Sequence, residues 1–457
     1  MPLLSTVLSV ILLCGSAIVL SACNSGQPLP IASGGSFTEA KISSRTLEHP
    51  QPKLSLEEQL DWVVGKSFAK QAWVSAPAST TARDGLGPIF NANSCVACHK
   101  ANGQGRLPDH GPGLILRIAP VGIHHKSYGE QLQDHATLSS KAEGQIAWRE
   151  VSLPSSANGE PLSLKYRQYF ISEPRYGNTS DMAISARLAP ALIGLGLLDG
   201  IPDETVIALS DPDDRDQNGI SGRVALRWDE QRQRMRPGRF GWKASQPSLL
   251  QQIALAFSQD IGIRSPIYPD ANCPGNAINC DNELSEDHNA EPEISAKLLA
   301  AVTAYIGNLA VPGIQNNPDL QAGYQVFIDI GCANCHIPAT QTLINPFSMQ
   351  PLTGDTTFRK ETIYPFSDLL LHDMGSALAD SADTDNTPAS EWRTAPLWGL
   401  GLRSKQEDNT RLLHDGRANS VHTAILWHGG EAKVSRKNYL QLNEQAQTTL
   451  LNFLKAL

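Results

Sequence analysis

The sequence predicts a mainly α-helical protein with minor β, built as two similar domains of which the first carries a large insertion. Three observations predict this. Apolar residues recur at helical spacing in three well-separated segments. A C-x-x-C-H motif occurs twice, as Cys95-Val96-Ala97-Cys98-His99 and Cys332-Ala333-Asn334-Cys335-His336. Each motif is followed by one of those helical segments, the first only after about two hundred residues.

Taken in order, the chain opens with the apolar run VLSVILLCGSAIVLSAC. It is short for a membrane span and reads as part of a signal peptide over residues 1–22. Its end, Leu20-Ser21-Ala22-Cys23, resembles the bacterial lipobox, which would leave Cys23 lipid-modified at the head of the mature chain. Asn24 rather than Asp follows, so the expectation is a periplasm-facing lipoprotein anchored to the outer membrane. Residues 23–53 are rich in Ser, Gly and Pro and read as a flexible tether. With 41% hydrophobic and 18% charged residues the remainder is ordinary globular sequence. A net charge of −9 argues against nucleic acid as a partner.

The folded region starts with Ser55-x-x-Glu58, a capping-box pattern ahead of an apolar-periodic run. The segment ISAKLLAAVTAYIGNLAVP aligns Leu298, Val302, Ile306 and Leu309 on one helix face and is expected to stop at Pro312. The last segment aligns Leu442, Leu450, Phe453, Leu454 and Leu457. These helices close an N-terminal domain over 54–315 and a C-terminal domain over 316–457. Phe90 and Phe327 each stand five residues before a motif, a weak internal repeat. Within the insertion, LKYRQYFI has strand character.

Of eight cysteines, Cys14 and Cys23 belong to the export segment and four form the two motifs. C-x-x-C-H is the attachment pattern of c-type haem. Cys95, Cys98, Cys332 and Cys335 would form thioethers to the porphyrins, and His99 and His336 would bind iron from the proximal side. About 0.004 such motifs are expected by chance at these Cys and His frequencies, so two are not coincidence. A Cys₄ zinc site would need its pairs much closer together. The expectation is two covalent haem c groups in cytochrome c-like domains. Cys273 and Cys280 read as a loop-closing disulfide. Asp214, Asp216 and Asn218 before Gly219 fit either the start of a calcium loop lacking its closing Glu or a plain acidic turn.

These motifs together resemble the di-haem oxidoreductase family, a distant cousin of the bacterial di-haem cytochrome c peroxidases and MauG-type enzymes. The resemblance covers nearly all of the mature chain and rests on RLAPALIGLGLLDGIPD, DPDDRDQNGISGR, GRFGWKASQPSLLQQIALAF, YPFSDLLLHDMG, EWRTAPLWGLGL and LHDGRANSVHTAILWHGGEA. In the cousins an R-x-x-P-L segment leads to H-x-G, and fourteen residues past that His stands the distal ligand of the C-terminal haem. Here Arg393, Pro396 and Leu397 lead to His414-Asp415-Gly416, and the corresponding position is His428. The resemblance thus implies His428 as second axial ligand, with His414 structural or near a propionate and His422 solvated. The glycines beside His428 would let backbone approach the porphyrin. A second imidazole in place of a thioether should lower that haem's potential.

For the first haem, His110, Met182 and an open position stand as alternatives on the far side of the iron. The resemblance implies peroxidase-like or MauG-like chemistry with a small oxidant such as hydrogen peroxide and a redox partner protein. The rival reading is a non-catalytic electron-transfer protein, one that could serve periplasmic iron acquisition. The sequence names no catalytic residue.

Overall fold

The computed structural model describes residues 27–119, 127–157, 160–273, 291–344, 359–405 and 411–457. The signal peptide and Cys23 expected from the sequence lie outside them. No helix among the described residues is long and apolar enough to cross a membrane.

The secondary structure corrects the expectation of a mainly α protein. Helix accounts for 31% and strand for 19% of residues, in eleven α-helices and seven two-stranded ladders among the described residues. The largest ladder is the insertion's own hairpin, Gln145–Ala157 against Glu160–Ser172, paired antiparallel from Gln145↔Ser172 to Ala157↔Glu160. A second joins Leu114–Ala119 to Ala183–Leu188. The others are pairs of two to five residues, too short to print a period-two pattern on the sequence.

Residues 27–53 are also not the tether that their composition suggests. Thr38–Glu39 pairs in parallel with Val311–Pro312, and Phe37 and Leu47 are buried in the main core. The apolar residues scattered among the Ser, Gly and Pro bury enough surface to hold the segment down.

Two helix crossings frame the fold. Leu56–Lys70 starts at a full capping box between Ser55 and Glu58. It crosses Ala296–Gly307 at Gly65, where a Cβ would lie 1.8 Å from the Ala301 carbonyl oxygen and 2.9 Å from Tyr305 Cβ. Pro318–Asp329 crosses Glu444–Ala456 at Gly323, where a Cβ would lie 2.5 Å from both the Thr449 carbonyl oxygen and Phe453 Cβ. In each crossing a glycine meets a carbonyl and, four residues on, an aromatic side chain. This is the true internal repeat. The Phe90–Phe327 pairing is not one, because Phe327 sits on a helix and Phe90 in the short strand Ile89–Phe90.

The main core gathers Trp62, Trp73, Phe257, Tyr305 and Val302 around the first crossing, and it also takes Ile363, Leu369 and Trp398 from late in the chain. A second core centres on Tyr324, Phe327, Phe366 and Phe453. The insertion hairpin folds over a third group, with Leu164 and Tyr166 against Ala424, Leu426 and Trp427. Helix Val421–Trp427, which ends at His428, is thereby packed from outside.

Candidate functional site

The first motif forms the short helix Cys95–Cys98. His99 Nδ1 lies 2.7 Å from the carbonyl oxygen of Pro190, directly after the strand Ala183–Leu188. Leu192 N–H donates to the Asn102 carbonyl at 2.9 Å, tying that stretch to the turn behind the motif. The Asn102 side chain in turn donates to the Leu47 carbonyl and accepts from the Tyr305 hydroxyl at 2.8 Å. The helix Ala296–Gly307 therefore holds the motif through Tyr305.

The second motif follows Pro318–Asp329 through Gly331, at φ +89°, and makes the 3₁₀ turn Cys332–Asn334. His336 Nδ1 lies 2.9 Å from the Phe366 carbonyl oxygen. Phe366 has φ +54°, a left-handed conformation that costs a bulky residue energy. The Ser367 and Asp368 amides, bonded to the Ile337 and Cys335 carbonyls, hold that turn against the motif.

His428 ends the helix Val421–Trp427, with Nδ1 2.7 Å from the Ala424 carbonyl oxygen. All three imidazoles thus spend Nδ1–H on a backbone carbonyl, which leaves Nε2 as the nitrogen that could bind a metal. Burial pushes His99 and His336 down to about 4, and it lowers His428 as well. The carbonyl bonds oppose that shift only in part, and His428 adds to the lowering at His336. A neutral ring is the form that binds metal.

One continuous cavity is lined by Cys95, Cys98 and His99 of the first motif and Cys332, Cys335 and His336 of the second, together with His428. These side chains are enclosed by protein but keep accessible surface where they meet the cavity. None of the four thiols is in a disulfide. Burial raises Cys95 and Cys332 to about 12 and Cys98 further, so they lie un-ionised.

The cavity wall also suits anionic substituents. Arg393 is fully enclosed, and its hydrogen bonds go to the carbonyls of Gly241 and Thr394. Desolvation pushes it down to about 10, with Asp368 opposing at longer range. A buried guanidinium without a carboxylate in contact is costly, and a propionate would supply the missing charge. Nearby, His414 stacks on Trp392 at 3.6 Å and 11°. Arg187 and Lys243 lie over the Trp392 ring at 4.6 and 3.9 Å. Arg187 and Asp380 form a buried bidentate pair at 2.9 and 3.2 Å. Both motifs, the pinned imidazoles and this cationic wall fit two haem groups.

Beside the second motif lies a buried charged network. His372 Nε2 meets Asp368 at 2.8 Å and its Nδ1 meets Glu431 at 2.6 Å, with Cys335 Sγ 3.9 Å away. Burial alone would lower the His372 pKa. The bonds to Asp368, Cys335 and Glu431 outweigh it and push the ring up to about 12, so it is an imidazolium between two carboxylates. Asp368, His372 and Cys335 are the single group among the described residues with the spacing of a metal site. Glu431 also accepts from the amide and hydroxyl of Ser221, in the acidic loop 211–222.

Other expected residues fall elsewhere. His110 sits in the exposed turn Pro108–His110 beside Asp109, and Met182 packs in the small core of the Leu114–Ala119 ladder. Neither lines the cavity. Asp214 accepts from the Gly219 amide, Asp216 from Asn218, and Asn218 from Ile220, so these polar groups close their own turns. Cys273 is disulfide-bonded, and its expected partner Cys280 lies outside the described residues. His422 is exposed, as expected, and its ring also meets the Tyr439 hydroxyl at 2.6 Å. The glycines after His428 face backbone rather than the cavity: a Cβ on Gly430 would lie 2.0 Å from the Asp373 carbonyl oxygen.

Sequence reasoning missed the Asp368–His372–Glu431 network and Asp260, another cavity-lining carboxyl. One signal for Asp260 was present: it is the sole charged residue between Ser248 and Ile263. Residues 30–113 and 173–457 match the family model described as "Di-haem oxidoreductase, putative peroxidase". The long hairpin falls in the unmatched interval. No curated protein matches the chain.

Proposed function

From the premise that the chain belongs to the di-haem oxidoreductase family, we propose that it reduces a peroxide with electrons from a one-electron donor protein. Family membership implies haem cofactors. In this reading both are c-type haems, held by Cys95 and Cys98 with His99, and by Cys332 and Cys335 with His336. The observation that carries the reading is the asymmetry of the cavity. His336 has a second pinned imidazole, His428, close enough to perturb it, while His110 and Met182 both lie off the cavity. In this reading His336 and His428 would hold the C-terminal haem, which would transfer electrons, and the N-terminal haem, held by His99, would meet the oxidant.

The haems supply the redox equivalents when bound. The protein's part is positioning. The carbonyls of Pro190 and Phe366 fix the proximal ring orientations and make those rings more basic ligands. Arg393 would hold an acidic substituent of the haem at a buried position, where one charge-assisted bond is strong. The buried imidazolium at His372, with two carboxylates, leaves net negative charge beside Cys335, which favours the oxidised state of the adjacent haem. The same reading makes the protein a periplasm-facing lipoprotein attached through Cys23, supported by the lipobox-like sequence.

The test is EPR and optical spectroscopy of the holoprotein, oxidised and half-reduced, with and without hydrogen peroxide. A high-spin signal consumed by peroxide is the expected result. Two low-spin signals indifferent to peroxide in every redox state would replace this reading with electron transfer alone.

A further inference from the structure

The cavity wall at the first motif carries a carboxyl with no part in haem binding. The helix Leu249–Ala256 runs into a single π-helical turn, Phe257–Ile261, which ends at Gly262 with φ +74°. Such turns insert an extra residue and re-aim side chains, and they concentrate at functional sites. This one brings Gln259 and Asp260 to the cavity, alongside Cys95, Cys98, Arg117 and Gln131.

Asp260 is held from behind. Gln131 Nε2 donates to its Oδ1 at 2.7 Å and reaches Asn91 Oδ1 at 2.8 Å. Asn91 Nδ2 donates to Asp134 at 2.9 Å, and Asp134 meets His135, whose ring is half exposed, also at 2.9 Å. The charged and titratable groups around Asp260 are Arg117 on the strand Leu114–Ala119, Cys95 and Cys98 on the motif, and Asp134 beyond Asn91. Arg117 is itself paired with Glu130 and Asp385. Three acidic side chains line the cavity among the described residues: Asp260, Asp385 and Glu431. Asp385 is paired with Arg117 and Glu431 with His372, whereas Asp260 has no ion pair among the described residues.

We propose that Asp260, positioned by Gln131, is the acid–base group that moves the proton of a peroxide at the N-terminal haem. The proposal rests on the peroxidase reading above. The carboxylate takes the proton from the peroxide oxygen that faces the iron and returns it to the other oxygen as the O–O bond breaks. That oxygen leaves as water. Two protons from solvent and two electrons from the donor protein convert the oxygen left behind to a second water, so that H2O2 + 2 H+ + 2 e− gives 2 H2O. Burial raises the Asp260 pKa to about 6, against the lowering by Gln131 and Arg117. A group with that value is mostly a base at neutral pH and still a competent acid.

Asp260→Asn, Asp260→Glu and Gln131→Leu test the assignment in the holoprotein. Stopped-flow spectroscopy follows two reactions of the half-reduced protein: consumption of peroxide, and binding of cyanide, which as HCN must lose its proton without any turnover. Asp260→Asn is expected to slow both by about 10²- to 10⁴-fold with the resting spectrum unchanged. Asp260→Glu should recover part of the rate. Gln131→Leu removes a bond that lowers the Asp260 pKa, so the inflection of the pH profile should move upward. Infrared difference spectra should show a protonated-carboxyl band growing in below pH about 6 in the wild type, and Asp260→Asn should lack it. Wild-type rates and the same band in Asp260→Asn would overturn the assignment while leaving the peroxidase reading standing. A wild type that takes neither peroxide nor cyanide in any redox state would overturn that reading, and this one with it.

Discussion

Asp380→Ala removes the anion from a deeply buried ion pair beside the cavity. The side chains of Arg187 and Asp380 are 7% and 4% exposed and meet through two hydrogen bonds at 2.9 and 3.2 Å. Lys243 Nζ stands 3.6 Å from the same carboxylate and is also held by the carbonyls of Pro388, Ala389 and Glu391. Without Asp380, Lys243 keeps three acceptors, whereas Arg187 keeps Thr384, a carbonyl and the face of Trp392. Breaking a buried pair from one side costs about 3–5 kcal/mol. At about 1.4 kcal/mol per factor of ten, that raises the unfolded fraction by roughly two to three and a half powers of ten. Urea unfolding of the holoprotein followed by far-UV circular dichroism measures the loss. The double variant Arg187→Met/Asp380→Leu should regain most of it, since an apolar pair of similar bulk is close to neutral. A single variant that loses less than about 1 kcal/mol, or a double variant as unstable as the single, would refute the reasoning.

Further outcomes follow from the same geometry. His428→Met should raise the potential of the C-terminal haem by on the order of 0.1 V, within a ligand-set span of about 0.8 V, and spectroelectrochemistry would show it; an unchanged potential would remove His428 from the iron. Gly323→Leu should force apart the helices that meet at Thr449 and Phe453, costing about 1–3 kcal/mol, and thermal unfolding at an unchanged midpoint would contradict the crossing. Glu143 is fully buried, and its pKa is raised by burial to about 7 despite the amides of Gln133 and Gly129. A carboxyl raised on folding favours the native state below its unfolded pKa, and that contribution is lost as pH rises through about 7. Glu143→Gln should therefore flatten the stability–pH curve between about 4.5 and 7, by about 3 kcal/mol at most, which melting curves across that range would check.

The readable parts of this chain were those whose chemistry is local. Ser55 and Glu58 cap their helix because a cap is decided within four residues. The two C-x-x-C-H motifs pointed to haem, the cofactor that family membership implies, for the same reason. Contacts made at long range were not legible. The partners of His372 lie at Asp368 and Glu431, and no spacing rule predicts the second. Tether-like residues 27–53 carry Phe37 and Leu47 into the core of a distant segment. The strand content was underestimated because most ladders are two to five residues long and arise where loops meet. The glycine repeat at Gly65 and Gly323 was hidden by unequal distance from each motif, thirty residues in one case and nine in the other.

That a single cavity serves both motifs has a consequence for how the protein is made. Its walls include Ala92 near the start of the folded chain and Glu431, Ser435 and Arg436 near the end. A nascent chain that has emerged only as far as Cys98 owns the thiols but almost none of the enclosure. Non-covalent capture of a haem at that stage would have little surface to work with. A thioether asks for no enclosure, only two sulfurs and a nearby ring. Thioether linkage, as proposed above, would keep the cofactor with the chain until Tyr305, Phe366 and finally the C-terminal helices arrive to build the chamber around it.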